Sequence, residues 1–295
     1  MTARLIDGRA RAARLRAELA REVAQMRADK GVMPGLAVVL IGADPASGIY
    51  VRSKVRACEE TGMRSDLHAL SDSTSEAELL ALIARLNGDP TVHGILVQLP
   101  LPPQIDRARV LAAISPDKDV DGFHPINAGR LATGQQALVP CTPRGCMMLL
   151  EEEIGDLRGL TACVIGCSPI VGRPMVQLLL HRDCSVLVAH KFTADPGALA
   201  RQADILVVAA GVPGLVTSDW IRPGAVVIDV GINRITRPDG SSNIIGDVAE
   251  GAADLAAAIT PVPGGVGPMT IACLLSNTLD AARAANPEAA NSNAA

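Results

Sequence analysis

The sequence predicts an α/β chain of two domains, each built on a parallel sheet. Three observations carry this expectation. Continuous aliphatic runs alternate with stretches of helical periodicity, the pattern of βαβ units. The runs form two groups, parted from about residue 115 to about 145 by a stretch rich in Asp, Pro and Gly that suits a domain junction. The length of 295 residues fits roughly two domains, and the 48% apolar content, with Tyr50, Phe123, Phe192 and Trp220 as its only aromatics, supplies aliphatic cores.

Seven arginines among the first thirty residues raise the question of a targeting leader. Asp7, Glu18, Glu22 and Asp29 are wrong for a transit peptide, and no apolar core of a secretory signal is present. Leu15, Leu19, Val23 and Met26 recur at helical spacing, so a solvated helix with one packed face is expected. LAVVLIG at 36–42 reads as a strand buried on both faces. A helix containing Tyr50 through Thr61 follows, then a second helix opened by the cap-like SDSTSEAE. VHGILVQLPLP at 92–102 is the next buried strand.

The second half repeats the rhythm: strands in LTACVIG (160–166), CSVLVAH (184–190), ADILVVAAG (203–211) and GAVVIDVGIN (224–233), with a helix from about Arg173 to His181. These runs predict a doubly wound, nucleotide-binding sheet of Rossmann type. TPVPGGVGPMT at 260–270 is too rich in Pro and Gly for regular structure, and it leads into an apolar helix beginning IACLLSNTL that packs back on the first domain. Residues 286–295 are polar and are expected to be disordered.

Several function classes are excluded. A net charge of −4 argues against a polyanion binder, and four rings are too few for stacking on single-stranded bases, so no nucleic-acid partner is expected. No apolar run reaches the length of a membrane span. The cysteines at 58, 141, 146, 163, 167, 184 and 273 are odd in number, scattered and without a CxxC pair, which fits reduced thiols in the cytoplasm. Cys163 and Cys167 lack a histidine partner, and DKDVDGFHP (117–125) fails as a calcium loop because its twelfth position is Ala128, so no metal is expected.

Four features bear on chemistry. GCSPIVG (166–172) is the first βα turn of the second half, where glycines let backbone N–H groups approach a pyrophosphate. It departs from GxGxxG, since Ser168 replaces the second glycine and the last is displaced to Gly172. The next strand ends in HKFT (190–193), where an NAD site would carry an acid; Lys191 either leaves a strand uneventfully or pairs with a 2′-phosphate, and electrostatics favour NADP. YVRSK places Tyr50 and Lys54 on one helix face near the C-terminal end of a parallel strand, where open α/β sheets bind ligands. Gln98 closes the other strand of that half, and a polar amide there must meet a ligand or a partner.

With YVRSK, GILVQLPLP, DKDVDGFHPINAGRL, PCTPRG, GCSPIVGRPM, VIDVGIN, GDV and TPVPGGVGPMT in this order, roughly residues 5 to 283 closely resemble the bifunctional methylenetetrahydrofolate dehydrogenase/methenyltetrahydrofolate cyclohydrolase family. VQLPLP and PGGVGPMT speak against a related dehydrogenase acting on a shikimate-like or amino-acid substrate. The resemblance implies a folate-binding catalytic domain over 1–139, an NADP-binding Rossmann domain over 140–267 with a cleft between the two, and a C-terminal helix over 268–285 completing the first.

It further implies a cytoplasmic homodimer that works on tetrahydrofolate one-carbon derivatives. Lys54 is then the central catalytic residue, Tyr50 lies against the folate, and Gln98 and Asp121 flank the chemistry, Gln98 by hydrogen-bonding and tuning Lys54. Leu99, Pro100, Pro263, Gly264 and Val266 join these four in binding substrate. The cofactor residues are Gly166, Cys167, Ser168, Ile170, Val171, Gly172, Arg173, His190, Lys191, Thr193, Gly211 and Ile232. Family members often carry Arg or a small residue where this chain has Cys167, so recognition of the 2′-phosphate falls to Lys191 and Arg173.

Overall fold

A computed structural model of the chain describes residues 3–236 and 242–287. The two-residue strand β1 (Arg4–Leu5) precedes helix α1 (Gly8–Lys30), whose first turn is held by Asp7 accepting a hydrogen bond from the Ala10 amide at 3.0 Å. Leu15, Leu19, Val23 and Met26 are all buried, as their spacing demands. Strand β2 (Gly35–Ile41) is apolar along its length. Helix α2 (Pro45–Thr61) follows; Asp44 caps it by accepting from the Ser47 amide at 2.8 Å, and Gly62 ends it at a φ of 75°.

Strand β3 (Arg64–Leu70) was not legible as a strand, because RSDLHAL is an edge with one neighbour and therefore stays polar. Helix α3 (Glu76–Gly88) opens with a reciprocal capping box between Ser75 and Glu78. After β4 (Gly94–Val97) come α4 (Arg107–Ala113), α5 (Pro125–Ala132) and α6 (Cys141–Ile154). Two of these helices thus begin inside the stretch read as an irregular junction, since proline is well tolerated in a first turn.

The second group is β5 (Thr161–Ile165), α7 (Gly172–Leu180), β6 (Ser185–Ala189), α8 (Pro196–Ala200), β7 (Ile205–Val208) and β8 (Val226–Asp229). An antiparallel hairpin, β9 (Asn233–Thr236) with β10 (Ser242–Ile245), and the short β11 (Ala258–Ile259) complete the strands. Helix α9 (Val266–Ala285) starts earlier than its apolar run suggests, so the second half of TPVPGGVGPMT is helical. Of the tail expected to be disordered, residues 288–295 lie outside the described residues.

The chain divides into two compact units. One comprises residues 1–14, 129–136 and 140–273. Its sheet runs β1-β11-β8-β7-β5-β6 with every neighbouring pair parallel, and its core includes Cys163, Ile165, Leu206, Val208 and Val227. The other comprises residues 15–128, 137–139 and 274–295. It holds the parallel sheet β3-β2-β4, with Ala37, Val39, Leu79, Ile83 and Ile95 at the heart of its core. In both, strands buried on two faces carry the aliphatic runs, and the loops at their C-terminal ends are free to carry polar groups.

Candidate active site

In the unit built on β3-β2-β4, three segments meet at the C-terminal end of the sheet. The Gln98 amide extends the ladder past β4 by donating to the Val39 carbonyl at 2.9 Å, which fixes the backbone from which its side chain leaves. Helix α2 places Lys54 one turn beyond Tyr50. Lys54 Nζ donates to Gln98 Oε1 at 2.9 Å, while Gln98 Nε2 donates to the Leu99 carbonyl at 2.7 Å. The second bond determines the amide's orientation, so oxygen and not nitrogen faces the lysine. Tyr50 remains 47% exposed on the same helix, a ring presented to solvent in a chain that has no other tyrosine.

Asp121 is the third contributor. Its carboxyl is pushed up to about 6, chiefly by burial, against the opposing pull of the Lys54 charge and with a further push from Asp119. Asp119 is itself buried and structural: it accepts from the amides of Phe123 at 3.2 Å and His124 at 2.8 Å and from Asn127 Nδ2 at 3.0 Å. The loop lies beside β4, with the Ile95 amide donating to the Lys118 carbonyl at 2.8 Å. Gly94 is needed there, since a Cβ would sit 2.6 Å from Val120 Cγ1. His124 is spent on the backbone: Nδ1 accepts from the Ile126 amide at 3.1 Å, which leaves Nε2 to donate to the Ala112 carbonyl at 3.2 Å.

Asn277, which the sequence reading passed over, is fully buried on α9 and donates to the carbonyls of Val120 at 2.7 Å and Val139 at 2.8 Å. It anchors the residue next to Asp121. A polar side chain inside the apolar run IACLLSNTL was the available signal, because such an amide must be satisfied.

The other unit carries a cavity of 670 Å³ at the C-terminal ends of β5, β6 and β7. Gly166, Cys167, Ser168, Arg173, His190, Lys191 and Thr193, all named from the sequence as cofactor candidates, line it, together with Phe192, Trp220, Ala209, Ala210 and Val212, which the sequence reading did not name. Among the described residues no acidic side chain lines it. Lys191 and Arg173 carry no ion pair among the described residues, so two uncompensated cations face a space with room for an anionic ligand. Lys191 Nζ sits 4.9 Å from the centroid of the Phe192 ring, which is 80% exposed.

The βα turn is tight. Gly166 has a φ of 110°, and a Cβ on it would lie 2.1 Å from the Ala209 carbonyl oxygen; on Gly172 it would lie 2.1 Å from the Gly166 carbonyl oxygen. Ser168 Oγ accepts from the amides of Val171 at 3.1 Å and Gly172 at 3.3 Å, standing in for a capping side chain at the start of α7. Ile170, Val171, Gly172, Gly211 and Ile232 are not among the cavity's lining residues. Pro263, Gly264 and Val266 belong to this same unit, apart from the unit holding Lys54, and the Val266 side chain is buried.

The family model of the tetrahydrofolate dehydrogenase/cyclohydrolase catalytic domain matches residues 6–121, and that of the corresponding NAD(P)-binding domain matches residues 140–286. The chain belongs to the tetrahydrofolate dehydrogenase/cyclohydrolase family. It is 62% identical over 283 residues to the bifunctional protein FolD of Gluconacetobacter diazotrophicus, covering 96% of this chain and 91% of that one. Among solved structures, the bifunctional FolD methylenetetrahydrofolate dehydrogenase/cyclohydrolase of Campylobacter jejuni superposes with a TM-score of 0.92 at 48% identity, covering 96% and 99% of the two chains. The Trypanosoma brucei methylenetetrahydrofolate dehydrogenase-cyclohydrolase, complexed with NADP and an inhibitor, gives a TM-score of 0.91 at 40% identity over 96% and 98%. Within this family the cavity belongs to the NAD(P)-binding domain, and the Lys54–Gln98 pair to the catalytic one.

Proposed function

We propose that the two activities of the family, NADP-dependent oxidation of 5,10-methylenetetrahydrofolate to the methenyl cation and hydrolysis of that cation to 10-formyltetrahydrofolate, are carried in this chain by Lys54, Gln98, Asp121 and Tyr50. The observation that supports this most is the 2.9 Å bond from Lys54 to an amide held in one orientation, with a recessed carboxyl near the same ammonium.

Oxidised NADP supplies the hydride acceptor; Lys191 and Arg173 suit its 2′-phosphate, and Gly166, Cys167, Ser168, His190 and Thr193 the rest of its polar length. The oxidation removes no proton from carbon, so the catalytic domain's task there is positioning. Tyr50 offers a flat face to the pterin and aminobenzoate region. Asp121 accepts hydrogen bonds from the aminopyrimidine edge, a contact strengthened when the carboxyl is ionised. Leu99 and Pro100, which follow Gln98, add substrate contacts.

Hydrolysis needs proton movement. Water adds to the amidinium carbon and the adduct releases one proton to solvent; the Lys54 ammonium gives a proton to N5 as the bond from that carbon to N5 breaks, and the lysine recovers its proton from the hydroxyl that becomes the formyl oxygen. Gln98 keeps the lysine aimed at the reacting carbon.

In this reading residues 1–139 serve folate, 140–267 serve NADP and 268–285 count with the first, boundaries that limited proteolysis checks. The protein is a cytoplasmic homodimer. Support comes from seven free cysteines, which suit a reducing compartment, and from β3, which among the described residues pairs only with β2 and exposes Leu67 at 48%. Among the described residues no helix is long and apolar enough to cross a membrane. Sedimentation equilibrium should give twice the chain mass, and a monomer would end the dimer reading. The function itself is tested by adding methylenetetrahydrofolate and NADP and following methenyl absorbance and its decay. Absence of both signals overturns it.

A further inference from the structure

We infer that Asp247 is a positioning residue for the cofactor: its carboxylate holds the backbone at the end of β7 in the shape that NADP requires. The inference rests on the function proposed above, and its observations lie wholly within the NAD(P)-binding unit.

Asp247 and its neighbour Asp229 are both buried, and neither touches the cavity. Asp247 Oδ2 accepts from two successive amides, Ala210 and Gly211, each at 2.8 Å, and Oδ1 accepts from Asn233 Nδ2 at 2.7 Å. Ala209, Ala210 and Val212 form part of the cavity wall, so the carboxylate grips the wall from behind. Its own backbone tightens the same wall, the Val216 amide donating to the Asp247 carbonyl at 2.9 Å next to the lining residue Leu215.

Asp229 supports this arrangement from β8. Its Oδ1 accepts from the amides of Gly231 and Asp247, and its Oδ2 from Val248, each at 3.0 Å. The glycines of VIDVGIN and GDV leave room for these carboxylates. A Cβ on Gly231 would lie 2.2 Å from Asp247 Oδ1, and one on Gly246 would lie 1.8 Å from Asp229 Oδ2. Asp229 and Asp247 thus form a relay, from β8 to the 246–248 loop and from there to the 210–211 turn. A carboxyl group accepting from two successive amides also keeps both N–H groups pointing away from the cavity. Without it, they would turn toward solvent or the ligand, and the wall would lose its shape.

The test compares wild type with Asp247→Asn and with the exchange Asp247→Asn/Asn233→Asp. In the exchange, the asparagine oxygen still accepts from both amides while its nitrogen donates to the new carboxylate, so the network is restored with the charge moved. NADP affinity is read by isothermal titration, and hydrolysis of methenyltetrahydrofolate, which needs no cofactor, is read in parallel. Asp247→Asn should weaken NADP about tenfold while cofactor-free hydrolysis stays within about twofold, and the exchange should recover most of the loss. Asn233→Ala, which leaves the carboxylate in place but unclamped, should weaken NADP about threefold, and it serves if Asp247→Asn does not fold. Unchanged NADP affinity in a folded Asp247→Asn, equal loss of hydrolysis and binding, or an exchange no better than the single variant overturns the inference. Wild-type protein that binds no NADP overturns the proposed function and this inference with it.

Discussion

The two candidate sites are built on opposite physical plans. Around Lys54 three polar groups from separate segments are held by short, directional bonds: a helix presents the amine, a strand end the amide, and a loop pinned by Asp119 and Asn277 the carboxyl. Around Lys191 the cavity is wide and largely apolar, and among the described residues it is lined by no acid and its cations carry no ion pair. The first plan suits bond making, where an error of an ångström is costly; the second suits holding a polyanion, where summed charge and shape decide. Loss of one atom should therefore be close to all-or-none in the first site and graded in the second.

The largest effect tests that contrast most directly. Lys54→Met should lower methenyl hydrolysis by roughly 10²–10⁴-fold while some oxidation of the methylene substrate persists, with NADP affinity unchanged. If 10-formyltetrahydrofolate still forms at the wild-type rate, Lys54 is not the group that moves the proton. Lys191→Ala comes next. It should reduce kcat/KM with NADP by about tenfold, leave the value with NAD in place and spare hydrolysis, the signature of a single charge-assisted contact. An unchanged preference between the two cofactors would remove Lys191 from 2′-phosphate recognition.

The smallest effect concerns Asp121. Its folded carboxyl titrates near 6, above the ordinary carboxylate value, so folate KM should rise severalfold as pH falls from 7 to 5, and Asp121→Asn should flatten that profile. The stability effect has the reverse sense from a paired carboxylate. Below about pH 4 both states hold the proton and there is no penalty; between about 4 and 6 only the unfolded state ionises, and above about 6 the full penalty is present. Asp121→Asn should therefore raise Tm by roughly 2–6 °C at pH 7.5, from ~1–2 kcal/mol after allowance for its partial exposure, and leave Tm unchanged near pH 4. A profile that does not respond to the substitution would place the titration elsewhere.

Much of this was legible without coordinates, for identifiable reasons. The aliphatic runs at 36–42, 160–166 and 203–211 became β2, β5 and β7 because a strand buried on both faces has few alternatives. Ser75 and Glu78 announced the start of α3 through a capping pattern that acts within four residues. Strand β3 stayed hidden, since a polar edge strand has no period strong enough to outweigh its loop-like composition. Short β1 and β11 pair with each other across more than two hundred residues, a contact that no local pattern encodes. For the same reason the close packing of Gly172 against Gly166 and the places of Phe192 and Trp220 on the cavity wall are not specified by turn motifs.

The sequence by itself determined the family, the order of strands and helices along the chain, and the residue types on which the chemistry rests. Those follow from side-chain periodicity and from motifs a few residues long. Tertiary structure alone decided which oxygen or nitrogen each group faces. It turned the oxygen of Gln98 toward Lys54, recessed Asp121 until its carboxyl rose to about 6, and set Asp247 behind the wall of the cavity beside Lys191. Each of these depends on hydrogen-bond partners or burial supplied by residues distant in sequence, and only the folded chain brings them within about 3 Å.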